Sequence, residues 1–114
     1  MPRPFRDHRP VVLDGDGAGS VTFGPQNARS ILTVTRVSVA GPPMTTTPKA
    51  RVYRGPASDS TFISGTRTGN FDTDHEFNEE LRAGEFLTVV WEGGDTGETV
   101  TATFAGTEEI EGSL

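Results

Sequence analysis

Residues 84–106 have the sequence GEFLTVVWEGGDTGETVTATFAG, which contains two strand-like runs joined by a turn-rich linker. The first run is apolar on both faces of an extended chain, with Leu87, Val89 and Trp91 on one face and Phe86 and Val90 on the other, so it needs cover on both sides. The second run alternates cleanly, with Val100, Ala102 and Phe104 on its apolar face. The linker 93–97, GGDTG, supplies residues that accept the positive φ values of a tight reversal. The stretch therefore predicts an antiparallel β-hairpin, and it contains no catalytic motif.

The rest of the chain repeats this pattern of short strands and turns. Its 114 residues suffice for one domain with a single core. About eight short strands follow one another at intervals of roughly ten residues, which predicts a single-domain, all-β, antiparallel β-sandwich or jelly-roll-like fold. The longest run, 30–40, is partly apolar on both faces and predicts a central strand with a bulge near Arg36. The predicted core contains Phe23, Val34, Val89, Trp91, Val100 and Phe104.

Composition excludes several classes of function. The chain has no cysteine, which rules out disulfides, thiolate metal sites and cysteine nucleophiles. Its net charge is −6, and residues 1–10 carry three arginines against one aspartate, or +2, so the remaining residues hold −8. A body this acidic repels phosphate backbones, and no apolar stretch is long enough to cross a bilayer. We therefore expect neither a nucleic-acid partner nor a membrane.

The first ten residues, MPRPFRDHRP, have a composition unlike that of the rest. Three prolines argue against a helix or a central strand, so we expect an extended arm (residues 1–10), followed by a β-sandwich domain (11–106) and an acidic tail (107–114). The alternative is a disordered leader. If the arm is ordered, contacts outside the domain's own sheets are expected to order it. A chain that starts at Val11 should then melt like the full chain.

The predicted partner-binding residues are drawn from this arm and from one loop. Phe5 would supply an apolar anchor, and the arginines would bind carboxylates of a neighbour. The loop 41–48 is expected to be a connection, with contact through the methionine at its tip as the alternative. The predicted set is Arg3, Phe5, Arg6, Arg9 and Met44.

Two acidic segments invite a metal-site hypothesis. The loop 14–17, DGDG, resembles the first half of a calcium loop but lacks the downstream glutamate that completes one, so a hairpin turn between two short strands, 11–13 and 20–23, is expected. Asp72, Asp74 and Glu76 would project on one side of an extended segment and could hold a hard cation, although a solvated strand face is the favoured interpretation. No metal or other cofactor is predicted.

Two further hypotheses concern catalysis and sugar binding. His75 lies beside carboxylates, but no serine occurs in a G-x-S-x-G turn, so we expect a protein that is not an enzyme. Trp91, Tyr53 and Phe71 could form an aromatic platform for a sugar. Because Trp91 lies in an apolar run, a core position is favoured for it.

A resemblance extends over nearly the whole of residues 11–106. The segments LDGDGAGSVTFGP, TVTRVSVA, RVYRG, ISGTRTGNFDT and LRAGEFLTVVWEGGDTG, with the Thr-rich final strand, resemble a family of small proteins encoded in tailed phages and prophages of GC-rich, actinobacterial-type hosts. These motifs are turns and core residues, so the resemblance assigns no functional residue. It implies an accessory component of the virion, assembled in the host cytoplasm, with a β-sandwich body.

The expected function is that of a structural protein of the phage particle. It would decorate the capsid or cap its neck as a homo-oligomer, through contacts with the capsid protein or other virion proteins. The alternative is a minor protein of the tail, including a module that binds host carbohydrate.

Overall fold

The computed structural model describes residues 3–25, 29–42, 45, 48–56, 62–66, 71–72 and 78–110. These residues form strands and turns, with no helix that could span a bilayer. Nine strands lie within them: β1 (Arg3–Val12), β2 (Gly19–Phe23), β3 (Ser30–Ala40), β4 (Lys49–Arg54), β5 (Phe62–Thr66), β6 (Phe71–Asp72), β7 (Glu79–Leu81), β8 (Leu87–Glu92) and β9 (Thr99–Ile110). Two of them, β6 and β7, have only two and three residues, which leaves seven longer strands.

The strands pair into two antiparallel sheets. Sheet I has the order β1-β9-β3, with β6 and β7 both paired to the far side of β3 near its two ends. Sheet II has the order β2-β8-β4-β5. β6 and β7 can be counted as two pieces of one strand, since both pair with the same side of β3. The paired strands are then nested in the sequence: β4 with β5 is innermost, followed by β3 with β6 and β7, β2 with β8, and β1 with β9. Successive pairs alternate between the sheets, which is the arrangement of a jelly roll and confirms the predicted fold class.

The core lies between the sheets and contains the residues predicted for it. All six are buried, from Val34, Val89, Trp91 and Phe104 at 0% exposure through Val100 at 1% to Phe23 at 5%. Trp91 fits in the middle of sheet II because its neighbours across the ladder are small: Gly19 on β2 and Ala50 on β4. The core residues predicted from β8 and β9 are therefore correct.

A bulge in the middle of β3 confirms the predicted irregularity near Arg36. The register with β9 shifts between Val34 and Arg36, which makes Thr35 the extra residue. The buried face accordingly changes from even to odd positions: Leu32 and Val34 before the bulge, Val37 and Val39 after it. This explains why the strand is apolar on both faces in the sequence, since one extra residue exchanges the two faces.

The predicted hairpin at 84–106 is wrong. β8 belongs to sheet II and β9 to sheet I, so residues 93–98 cross between the sheets. The loop 13–18, also expected to be a hairpin turn, crosses from β1 to β2 in the same way. A loop that joins two paired strands spans about 5 Å, and a loop that crosses to the facing sheet spans about 10 Å. Both kinds of loop have the same sequence pattern, with glycines between two alternating strands, so the sequence does not distinguish them.

The two crossing loops bind each other through their backbones. The N–H of Leu13 donates to the carbonyl of Glu98 at 2.9 Å, and the N–H of Gly94 donates to the carbonyl of Gly17 at 2.9 Å. Gly17 has a φ of +71°, and a Cβ there would collide with the backbone of Gly94. A glycine is therefore required at this contact by both conformation and space.

The expected separation of the N-terminal arm from the sandwich is not a structural boundary. β1 runs without a break from Arg3 to Val12 and pairs along its whole length with β9, from Arg3 opposite Glu108 to Val12 opposite Thr99. β9 likewise continues to Ile110, so the first four residues of the predicted acidic tail belong to a strand. The arm is extended as predicted, but the domain's own sheet orders its residues 3–10.

The prolines of the arm are compatible with this position because β1 is an edge strand. Leu13 donates its N–H to Glu98, which continues the β1–β9 register, so odd residues of β1 direct their backbone groups towards β9. Pro4 and Pro10 have even numbers and face the open edge, where no N–H is needed. Prolines at these positions exclude a central strand, but they are compatible with an edge strand.

Candidate partner-binding surface

The alternation of β1 separates the four predicted binding residues of the arm into two groups. The side chains of odd residues point towards the space between the sheets, and the side chains of even residues point away from it. Phe5 and Arg9 are accordingly half-buried, whereas Arg6 is exposed. Arg3, although odd, is exposed because it lies at the end of the strand. The predicted set therefore does not converge on one site.

Phe5 anchors the arm, but to its own domain. Its ring stacks on Phe23 with 5.5 Å between centroids and 24° between planes. Phe23 stacks on Phe104, with 4.5 Å and 7° for the same measures. Three rings from β1, β2 and β9 thus form a continuous stack that joins the two sheets at their edge. Such pairs contribute about 0.5–1.5 kcal/mol beyond the area they bury.

Arg9 closes the open side of the sandwich above this stack. Its Nε donates to a carboxylate oxygen of Asp7 at 2.7 Å, and its guanidinium carbon lies 5.8 Å from the centroid of the Phe23 ring. Both side chains of the ion pair are about one-third exposed, at 34% and 39%. Arg9 therefore covers an aromatic ring of the core with a charged group that remains in contact with solvent.

Arg3 forms an ion pair with Glu108 across the β1–β9 ladder. Its Nη2 lies 3.2 Å from Oε1 of Glu108, whose other carboxylate oxygen accepts a hydrogen bond from the Ser30 hydroxyl at 3.0 Å. The Arg3 side chain is 76% exposed, so the ion pair contributes little to stability. Its geometric effect is to tie β1, β9 and β3 together at one end of sheet I.

Arg6 is the predicted binding residue of the arm whose position in the strand directs its side chain outward. It lies opposite Ala105 on β9, and Ala105 lies opposite Arg36 on β3, so two arginines flank an alanine in one row of sheet I. The next row contains His8, whose Nδ1 is 2.8 Å from the hydroxyl of Thr103. We call the outward side of β1, β9 and β3 the outer face of sheet I. It combines small residues with two arginines and, towards one end, the exposed carboxylate of Glu109, on a chain whose net charge is −6.

A groove separates the two edge strands β1 and β2. It includes a cavity of 610 Å³ lined by Asp7, His8, Arg9, Pro10, Val21 and Thr22. A second cavity of 360 Å³ extends the groove along the aromatic stack, past Phe5 and Phe23 to Ser30 and Glu108. The sequence does not predict this groove, because the groove exists only when β1 and β2 belong to different sheets. The hairpin turn expected after residue 13 would have placed the two strands side by side in one sheet.

The remaining predicted binding and metal residues divide into those the structure describes and those it does not. Met44, Asp74, His75 and Glu76 lie outside the described residues, and only the backbone of Asp72 is described. The carboxylate of Asp14 accepts the N–H groups of Asp16 at 2.9 Å and Ala18 at 3.1 Å, so it shapes its own loop. Within the described ranges, no three His, Asp or Glu side chains are placed to hold a metal ion.

Two of the three aromatic side chains of the hypothetical sugar-binding platform are not accessible to a ligand. Trp91 is fully buried and Tyr53 is 7% exposed, so neither ring can stack on a ligand. The side chain of Phe71 lies outside the described residues. In the described structure the indole N–H of Trp91 is buried without a hydrogen-bond partner. Trp91 is therefore a core residue, as the sequence favoured.

Comparison with known proteins assigns no family. No protein-family model matches the chain, and no curated protein sequence does so either. The function is therefore inferred from the fold, the surface and the resemblance of the sequence segments.

Proposed function

We propose that this chain is a non-enzymatic structural protein of a phage virion, which decorates the capsid or caps its neck through contacts with other virion proteins. The observation that carries the proposal is the strand order of the two sheets, β1-β9-β3 with β6 and β7, and β2-β8-β4-β5. Jelly rolls with this nesting recur in viral capsid proteins as well as in lectins. The fold supports the proposal by analogy, and the sequence resemblance points to the same class.

The ionisable side chains of the described structure support a structural rather than a catalytic role. Asp14 binds its own loop, Asp7 binds Arg9, and Glu108 binds Arg3 and Ser30. Arg54 joins the sheets by binding Glu79 at 2.9 Å and Glu85 at 3.1 Å. The contacts of Asp14, Glu108 and Arg54 shape a loop or join strands, and the Asp7–Arg9 pair lies within β1.

The outer face of sheet I is the surface that we assign to the virion partner. Arg6 and Arg36 lie in one row on either side of Ala105, and the small side chain between them leaves room for a carboxylate-bearing surface. The guanidinium of Arg6 favours carboxylates through charge and planar hydrogen bonding. The partner is accordingly expected to present an acidic patch. Raised ionic strength should weaken its attachment.

The experiment is an add-back assay. Particles are assembled without this protein, mixed with the purified chain and sedimented, and the bound fraction is measured. Wild type should bind saturably, and Arg6→Glu should weaken binding by at least about tenfold. Arg51→Glu is the matched control, because Arg51 is exposed on sheet II and the charge change is the same.

The outcomes separate the proposal from its alternative. Saturable binding to tail-free heads supports a capsid position, and binding only to complete particles supports the neck. If the chain binds neither particle but binds glycans on an array, the carbohydrate-binding tail module replaces the proposal. Equal binding by wild type and Arg6→Glu would mean that the outer face of sheet I is not the surface that binds the particle.

A further inference from the structure

Within the part of the chain that the structure describes, no strand pairs with the outer edge of β2, and the alternation of its ladder with β8 shows which backbone groups lie on that edge. The N–H of Gly55 donates to the carbonyl of Phe86 at 2.8 Å, and this pair continues the β4–β8 register. Even residues of β8 therefore face β4, and odd residues face β2. Ser20 and Thr22 lie opposite even residues of β8, so their N–H and C=O groups point away from the sheet.

The neighbouring residue Ala18 supports this assignment. It has the same parity as Ser20 and Thr22, and its N–H and C=O both bind Asp14, which lies outside sheet II in the crossing loop. The loop thus occupies the first outward position of this edge. Ser20 and Thr22 are the next two such positions, and both residues are exposed.

The two edges on this side of the sandwich differ in protection. Proteins commonly guard edge strands with proline, charge or a bulge. β1 carries Pro4 and Pro10 on its open edge together with three arginines. β2, with the sequence GSVTF, has no proline, no charge and no shift in its register with β8. The unguarded edge is therefore β2, and the space beside it is the groove described above.

The sequence of β2 fits a second copy of itself. We propose that two copies of this chain associate through antiparallel pairing of β2 about a two-fold axis at Val21. This register places Ser20 of each copy opposite Thr22 of the other, and both residues have outward-pointing backbone groups. The pairing forms about four hydrogen bonds and joins the two four-stranded sheets into one continuous sheet.

The groove supplies charges that suit the same axis. Asp7 and Arg9 line the cavity that also contains Val21 and Thr22. A two-fold axis at Val21 therefore brings the Asp7–Arg9 pair of one copy next to that of the other in reversed order. The Asp7 carboxylate of one copy can then contact the Arg9 guanidinium of the other. A groove with charges of only one sign would instead place like charges opposite each other across the two-fold axis.

The expected affinity is modest because the paired edge is short. β2 has five residues, and an interface of this kind falls below the size of stable complexes, which bury about 1,200–2,000 Å². This dimer would be the homo-oligomer expected for the proposed virion function, but the observations behind it concern the isolated chain alone. Failure of self-association would leave particle attachment untouched, and failure of attachment would leave the association untouched.

The test is sedimentation equilibrium of the full chain from about 10 µM to about 1 mM. Wild type should change from its monomer mass of 12.2 kDa to twice that value. Lysine at both positions, S20K/T22K, places like charges opposite each other in the proposed register and should keep the chain monomeric. S20K/T22E places opposite charges there and should associate. T99K, an exposed change on sheet I, should behave as wild type.

Amide hydrogen exchange provides a second measurement that does not depend on variants. The N–H groups of Ser20 and Thr22 should become protected as concentration rises, while those of Val21 and Phe23 are protected throughout. A wild type that stays monomeric over the whole range overturns the proposal. So does association that S20K/T22K retains, and so does growth into open-ended aggregates.

Discussion

The ring of Phe5 stacks on the ring of Phe23 with 5.5 Å between their centroids. Phe5 lies in the arm that the sequence places outside the domain, whereas Phe23 is a core residue of sheet II. The contact makes the arm part of the sandwich. The expectation that a chain starting at Val11 melts like the full chain is therefore reversed, because the truncation removes most of an edge strand and uncovers Phe23 and Phe104.

Replacement of Phe5 tests this relationship without deleting a strand. Phe5→Ala removes a half-buried ring and its stacking contact, so the free energy of unfolding should fall by about 1–2 kcal/mol. Arg6→Ala, one residue away on the exposed side of the same strand, should leave it nearly unchanged. Urea unfolding followed by Trp91 fluorescence measures both. Equal stability of the two variants would mean that the arm does not pack on the core in solution.

Trp91 should be the most sensitive position in the core. It is fully buried, so Trp91→Ala should cost about 3–5 kcal/mol through the cavity it leaves. Trp91→Phe should cost clearly less than Trp91→Ala, since it retains a large ring and removes a buried N–H that has no partner in the described structure. Chemical unfolding followed by circular dichroism compares the two variants. A loss of unfolding free energy well below about 3 kcal/mol for Trp91→Ala would contradict the core position of Trp91.

The contact between the two crossing loops depends on Gly17. Gly17→Ala must adopt a φ of +71° and displace the backbone of Gly94, so it should cost at least about 2 kcal/mol. Gly15→Ala is the matched control in the same loop, because a Cβ there meets no atom within 4 Å and its φ is not positive. Thermal unfolding of both variants is the measurement. A neutral Gly17→Ala would mean that the loops do not pack together.

Divalent metal should not affect stability, because the Asp14 carboxylate already accepts two N–H groups of its own loop. Addition of EDTA, or of calcium, should leave the melting temperature unchanged. A bound ion at about 100 times its dissociation constant would add about 2.7 kcal/mol, which calorimetry detects easily. Asp14→Ala should cost about 1–2 kcal/mol in either condition. Recovery of a lost melting temperature by calcium would instead identify a metal site.

The sequence predicts the layers of this fold better than its connections. Clean alternation in 100–104 identifies the buried face of β9, the apolar run 86–91 identifies a strand that is covered on both sides, and the change of face within 30–40 locates the bulge. These features are local, since they depend on which side of one strand is buried. The sheet to which each strand belongs is decided by packing between distant segments, so residues 93–98 look like a hairpin turn although they cross between sheets.

The same distinction explains the outcome for the predicted binding residues. The prolines of the arm correctly exclude a central strand, but a polar, proline-containing segment fits an edge strand as well as a free arm. Its length matches β9, and only that pairing places Phe5 against Phe23 and Arg9 over the same ring. The groove between β1 and β2 could not be predicted, because it results from two edges that meet only in the folded sandwich.

The most direct test of the proposed function is a cryo-electron microscopy map of the phage particles that we propose contain this chain. We predict density for the two-sheet body on the head or at the neck, with the outer face of sheet I against an acidic surface. Density for the chain only at the tail tip, or a particle whose protein content lacks the chain, would contradict it.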